Sequence, residues 1–380
     1  MGIQSYPFIY KGLYRMSCDF LSLATPGAQG LHTYFPGKPI EEVKREYGIE
    51  KVIKLASNEN PLGPSPYVQK AIQAAIPGIS RYPDGNGFIL KKALAEKHNV
   101  ESSMITLGNG SNDILELIAR TFVTSSQSVV YSEYAFAVYQ LSTQAIGAQH
   151  LVTPAKDWGH DLTAMSRMLQ DNTRLIFVAN PNNPTGTWVD EQSLKTFLDT
   201  VPDNILVTVD EAYLEYMGDY PDYPNTLEWL SDYSNLIVTR TFSKAYGLAG
   251  LRVGYAVSHP QIAELMNRVR QPFNVNSLAL VAATAALEDK EYLIESAKLN
   301  QQGMKQLTHA FDRMGLDYIP SVGNFITVQV GQAMQVYENL LRKGVIVRPV
   351  NNYNMPKHLR MSIGTEEENA LLIEALQQIL

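Results

Sequence analysis

Lys244 sits in the run from Thr239 to Tyr255, whose centre reads Ser243-Lys244-Ala245-Tyr246-Gly247-Leu248-Ala249-Gly250-Leu251-Arg252. Most lysines are solvated surface charges. One placed among small and aromatic residues, with an arginine further along the same loop, is desolvated and faces a like charge. Both effects lower its pKa and favour the nucleophilic free amine. Asp210 stands at the end of the apolar run Val207-Thr208-Val209, with Tyr213 three residues on. An aspartate there either caps a helix or acts as a partly buried carboxylate, which then needs a cationic partner.

Two further turns carry suitable groups. Ala179-Asn180-Pro181-Asn182-Asn183-Pro184-Thr185-Gly186-Thr187 packs amides between prolines that fix the backbone. Leu107-Gly108-Asn109-Gly110-Ser111-Asn112-Asp113 precedes a helix predicted over Ile114–Phe122. That turn is either a plain tight turn with Ser111 or Asn112 as N-cap, or an anion cradle of backbone amides at a helix start. A lysine amine, an anion cradle, an aspartate and a phenol are together what pyridoxal phosphate asks of a protein. The lysine forms an imine, while Ser243, Arg252 and the glycine turn bind the phosphate. The carboxylate keeps the pyridine nitrogen protonated, and the phenol and an asparagine bond the 3′ oxygen. No metal is expected.

Elements of fixed geometry must hold these turns. The runs Met104–Leu107, Ser128–Tyr131, Arg174–Ala179, Ile205–Val209, Leu236–Thr239 and Val253–Val257 read as strands. Several are apolar throughout, as in a parallel sheet covered on both faces. Helical stretches between them predict an α/β domain with right-handed crossovers, where ligands lie at the carboxyl ends of the strands. Residues 17–54 read as an irregular arm with one short helix over Ile40–Tyr47. From Glu288 on, helix, strands and helix suggest a smaller domain. Thr365 and Glu368 form a capping box at its last helix. The division expected is an arm over 1–54, a large domain over 55–287 and a small one over 288–380.

A chain of 380 residues exceeds what one core serves, in keeping with two domains. Its net charge of −7 argues against nucleic acid or an anionic membrane as partner. The single cysteine, Cys18, rules out an internal disulfide and fits a cytoplasmic setting. No apolar run reaches the roughly 20 residues of a membrane helix, and Met1–Arg15 lacks the pattern of a signal peptide.

From about Cys18 to its end the chain resembles the fold-type-I pyridoxal-phosphate aminotransferases, and more closely the histidinol-phosphate aminotransferases. The likeness rests on Ser57-Asn58-Glu59-Asn60-Pro61-Leu62-Gly63, Arg81-Tyr82-Pro83-Asp84-Gly85, Asn183-Pro184-Thr185-Gly186, and Ser243-Lys244 followed by the glycine-rich run to Arg252. It implies a large cofactor-binding domain with a mostly parallel seven-stranded sheet between helices, a smaller α/β C-terminal domain and an N-terminal arm. It implies transamination between L-histidinol phosphate and 2-oxoglutarate. An aromatic amino-acid aminotransferase and a threonine-phosphate decarboxylase remain alternatives.

The resemblance also distributes roles. Lys244 carries the cofactor, Asp210 meets the ring nitrogen, and Tyr213 and Asn183 meet the 3′ oxygen. Gly110, Ser111, Asn112, Ser243 and Arg252 bind the phosphate, joined by Tyr82 from the other subunit of a homodimer. Tyr134 is placed to stack on the cofactor ring. Arg360, in Leu359-Arg360-Met361-Ser362, would bind a substrate carboxylate or phosphate through its planar fork. Arg348 is either a second such arginine or a surface residue ending a strand, and Tyr34 belongs to an arm that reaches the substrate across the dimer.

Overall fold

The computed structural model describes residues 19–31, 37–218 and 220–380. Cys18 and Tyr34 fall outside the described residues. A first short strand, β1 (Ile53–Lys54), is followed by seven strands of one sheet. These are β2 (Ile105–Gly108), β3 (Ser128–Ser132), β4 (Gln149–Thr153), β5 (Thr173–Ala179), β6 (Leu206–Asp210), β7 (Leu236–Thr241) and β8 (Gly254–Ser258). Their order is β2-β8-β7-β6-β5-β3-β4. β8 runs antiparallel to both neighbours, and the other pairs are parallel.

The apolar strands are explained by two faces that are both covered. Val130, Ile176, Val178, Val207, Val209 and Val238 enter one core, packed with the helices Pro66–Ala75, Phe88–His98, Glu191–Leu198 and Ser277–Glu288. Their alternate neighbours Val129, Tyr131, Leu175, Phe177 and Ile237 enter a second core under the helices Ser111–Phe122, Ala137–Ala145 and Pro260–Val269. The period-two alternation of a strand thus feeds both layers. Six strands match the sequence reading to within two residues. The seventh, β4, is the sheet's edge, and its Gln149, His150 and Val152 keep contact with solvent. That mixed pattern hid it among polar residues.

The C-terminal lobe holds β9 (Tyr318–Ile319), β10 (Phe325–Gln329), β11 (Val345–Ile346), β12 (Arg348–Pro349) and β13 (His358–Ser362). Four of these form an antiparallel sheet in the order β12-β13-β10-β9, and β11 pairs in parallel with β1. Val43, Ile53, Leu55 and Ala56 share one core with Leu307, Phe311, Ile326, Leu340, Leu359 and Leu376. Part of the N-terminal arm is therefore built into the C-terminal lobe. The helix predicted over Ile40–Tyr47 is present, ending at Gly48 in the left-handed conformation that glycine adopts without strain. The capping box at Thr365 and Glu368 is also formed. Among the described residues no helix is long and apolar enough to cross a membrane.

Candidate active site

The carboxyl ends of β5, β6 and β7 open onto a cavity of about 400 Å³ between the sheet and the C-terminal lobe. Each strand delivers a side chain to it. Lys244, three residues past β7, is half-buried, and its Nζ donates to the Ser57 carbonyl at 3.1 Å. Burial, reinforced by the charges of Arg360 and Arg252 and opposed by Glu59 and Asp210, lowers its pKa to about 7. A neutral amine is thus accessible near neutral pH.

Asp210, the last residue of β6, is no helix cap. Its two oxygens accept from the Tyr139 hydroxyl at 2.9 Å and the Thr239 hydroxyl at 2.8 Å. Burial raises its pKa to about 6 against these two bonds, which favour the charged form. The next residue, Glu211, is fully buried and paired with Arg240 of β7 at 2.7 Å, which anchors the turn behind Asp210. Tyr213 accepts two amide hydrogen bonds at its hydroxyl, from Asn58 at 2.9 Å and Asn183 at 3.1 Å. Burial pushes this phenol up to about 12.

The loop after β5 divides its asparagines between two tasks. Asn180 exchanges both of its amide groups with the backbone of Val189, and Asn182 donates to Thr185 and to the Tyr134 carbonyl. These two hold the loop, which leaves Asn183 aimed at the cavity.

Below Lys244, Gly110 is the N-cap of helix Ser111–Phe122 and provides no side-chain cap. The helix start therefore offers its amides beside the cavity, where Ser111 and Asn112 line the wall. A positive φ of 87° calls for glycine at 110, and close packing against backbone calls for it at 254. A Cβ on Gly110 would stand 2.5 Å from Arg252 Nη2, and one on Gly254 would stand 2.5 Å from the Ser111 amide. Arg252, itself left-handed at φ 56°, donates to the Ser243 hydroxyl at 3.2 Å and the Ala249 carbonyl at 3.1 Å. Amides, two serines and a guanidinium make a site for a phosphate.

A second cationic pole faces it from the C-terminal lobe. Arg348 of β12 and Arg360 of β13 are directly opposite each other across the antiparallel pair, and both line the cavity. Like charges in that relation are destabilising in themselves, and an anion bound between them would offset the cost. Arg360 donates to the Asn183 carbonyl oxygen at 2.6 Å and to the Ala56 carbonyl at 2.8 Å, with its guanidinium over the Phe325 ring. Arg348 is part-buried against the same cavity.

Ten of the residues singled out in sequence thus surround one cavity: Ser111, Asn112, Asn183, Asp210, Tyr213, Ser243, Lys244, Arg252, Arg348 and Arg360. Tyr134 does not. Its backbone is left-handed, φ 56°, and its ring lies 5.2 Å from Trp158, while Phe136 lines the cavity. Of the two aromatics in this turn, Phe136 is the one at the cavity wall. Tyr82 is 83% exposed and stacks on Phe273 at the surface. Sequence reading missed Tyr139 and assigned no role to Asn58, although Asn58 lay inside a quoted motif. The buried acid, the low-pKa lysine, the amide pair at the phenol and the glycine-lined cradle match what pyridoxal phosphate requires, so the residues present fit that cofactor.

A family model for aminotransferase class I and II matches residues 50–376. The chain is 57% identical over 368 residues to "Histidinol-phosphate aminotransferase 2" of Pseudomonas fluorescens, covering 96% of this chain and 99% of that protein. It is likewise 57% identical to "Histidinol-phosphate aminotransferase 1" of Nitrosococcus oceani, covering 95% and 98%. Among solved structures, histidinol-phosphate aminotransferase from Sinorhizobium meliloti in complex with pyridoxal-5′-phosphate superposes with a TM-score of 0.87 at 30% identity, covering 96% of this chain and all of that one.

Proposed function

From the premise that the chain belongs to the class I and II aminotransferases, we propose that it exchanges an amino group between L-histidinol phosphate and 2-oxoglutarate, with pyridoxal 5′-phosphate as cofactor. The observation that carries this reading is the pairing of Arg348 and Arg360 across β12 and β13, above the same cavity that holds Lys244. Histidinol phosphate bears a phosphate ester where glutamate bears its α-carboxylate. A planar guanidinium accepts either anion through two parallel bonds. One arginine pole can therefore serve both half-reactions. The relatives' printed activity supports the same substrate.

Bound in this cavity, pyridoxal phosphate supplies an electron-accepting ring conjugated to the carbon that exchanges its nitrogen. The chain's residues do the rest. Lys244 Nζ, kept available as a neutral amine by its lowered pKa, takes the proton from the substrate's α carbon and hands it on. Asp210, oriented by Tyr139 and Thr239, presents a fixed carboxylate to the ring nitrogen. Tyr213 and Asn183 serve the 3′ oxygen, Phe136 supplies a flat apolar wall, and the Ser111 helix start with Asn112, Ser243 and Arg252 fixes the phosphate. Arg360 orients substrate, with Arg348 beside it, and the partner subunit's Tyr34 is assigned to the substrate phosphate.

The active unit in this reading is a homodimer. The exposed large apolar residues Tyr82, Phe88, Ile89 and Phe273, of which Tyr82 and Phe273 stack, support it, and the partner subunit's Tyr82 completes the phosphate site. Residues 55–287 act as the cofactor-binding domain and 288–380 as the small one, with the arm's β1 added to it. The compartment assigned is the cytoplasm.

The test is a single-turnover absorbance experiment on the holoenzyme with histidinol phosphate, phenylalanine and threonine phosphate offered separately. Rapid conversion of the cofactor to its amino form with histidinol phosphate alone is the expected result. Conversion by phenylalanine instead would move the enzyme to aromatic amino acids, and carbon dioxide release from threonine phosphate would replace transamination by decarboxylation.

A further inference from the structure

Asn58 holds an unusual set of contacts. Its backbone is left-handed, φ 54°, and it is 1% exposed. Its N–H donates to Ser362 Oγ at 2.8 Å, and its carbonyl accepts from Asn324 at 3.0 Å. Since Ser362 Oγ already accepts that N–H, its own proton is available for Asn58 Oδ1, 3.2 Å away. This fixes which end of the Asn58 amide is which, and Nδ2 is left to donate to the Tyr213 hydroxyl at 2.9 Å. The other amide is fixed in the same way. Arg360 donates to Asn183 Oδ1, so Asn183 must turn Nδ2 toward Tyr213.

A phenol oxygen has room for about two accepted bonds and one donated proton. With two amides donating to it, the Tyr213 proton is directed away from both, into the cavity. We propose that Asn58 is a positioning residue that, jointly with Asn183, makes Tyr213 an obligate donor toward the cofactor's 3′ oxygen. Donation to the oxygen also polarises the O–H bond, so the bond Tyr213 gives is stronger than that of a lone phenol. Asn58 owes its aim to Ser362, two residues beyond Arg360 on β13, so the strand that carries the substrate arginine also sets the phenol.

This inference rests on the assignment of Tyr213 under the proposed function, and the experiment separates the two. The visible absorbance of the bound cofactor is titrated with pH in the purified holoenzyme without substrate. The variants are Tyr213→Phe, Asn58→Gly, Asn58→Ala and the double variant Asn58→Gly/Tyr213→Phe. Glycine accepts a left-handed backbone without strain and alanine does not, yet both remove the amide. Losing one supporting hydrogen bond should raise the midpoint by on the order of 0.5–1 pH unit. Asn58→Gly and Asn58→Ala should shift it alike and less than Tyr213→Phe, and the double variant should match Tyr213→Phe alone. A shift in the alanine variant only, an unmoved Asn58→Gly, or additive shifts in the double variant would overturn the role of Asn58. A Tyr213→Phe protein that titrates as the parent would remove the Tyr213 assignment itself, and this inference with it.

Discussion

Replacing Lys244 by methionine keeps a side chain of similar length in the cofactor-free protein while removing its amine. The lysine's pKa is about 7 in the folded chain against an ordinary 10.5. Between those values the unfolded chain binds the proton and the folded one does not. The group therefore destabilises the fold, fully below pH 7, and the penalty fades as pH rises from 7 to 10.5. At 1.36 kcal/mol for each pH unit, the penalty is about 4 kcal/mol at pH 7 and under about 1 kcal/mol at pH 10. Methionine also leaves the Ser57 carbonyl without its donor, a loss of about 1 kcal/mol. Lys244→Met apoprotein should thus gain about 3 kcal/mol over the parent at pH 7 and nothing near pH 10. Urea denaturation of both apoproteins at matched concentration, in steps from pH 6 to pH 10, measures this. A gain that stays flat across that range, or that grows toward alkaline pH, would refute the reasoning.

Tyr139→Phe removes one of two bonds to Asp210 while its ring stays stacked on Phe177 at 4.6 Å. The Asp210 pKa, already near 6, should rise by about one unit, so cofactor affinity of the apoprotein should fall most steeply below pH 7 and recover by pH 9. An unaltered pH profile of the dissociation constant would argue that Tyr139 is only packing. Arg360→Lys replaces a fork with a point charge and loses its bonds to Asn183 and Ala56, so both half-reactions should slow by roughly tenfold or more. Stopped-flow traces in which only one half-reaction suffers would mean that the two substrates use different anion sites. Thr365→Ala deletes one arm of the capping box and should lower stability by about 1 kcal/mol with kcat unchanged. Chemical denaturation beside steady-state rates tests that pair of outcomes.

Much of this was legible because the reactive residues follow apolar strands directly. Asp210 ends β6, Lys244 lies just past β7, and the loop with Asn183 starts where β5 stops. What was not legible depends on contacts far apart in the chain or on a single backbone angle. Asn58 meets Tyr213 across 155 residues, and Tyr139 meets Asp210 across 71. No local pattern announces such pairs. Phe136 and Tyr134 are both aromatic and two residues apart, and nothing in their local sequence says which ring faces the cavity. The β4 edge strand escaped because solvent lets polar residues into every other position or more.

The pairing of Ile53 with Val345 also constrains how the protein comes off the ribosome. The partners are roughly 290 positions apart, and contacts of such long range are closed late. Every residue of the seven-stranded sheet is synthesised before Val345 exists. During that interval the core of Val43, Ile53, Leu55 and Ala56 lacks Val345, Ile346, Leu359 and Leu376, and part of its apolar surface is left to chaperones or to neighbouring chains. A nascent polypeptide halted before β11 would hold Lys244 and Asp210 without Arg348 and Arg360. The arginines proposed to hold substrate are therefore made after every residue proposed to hold the cofactor.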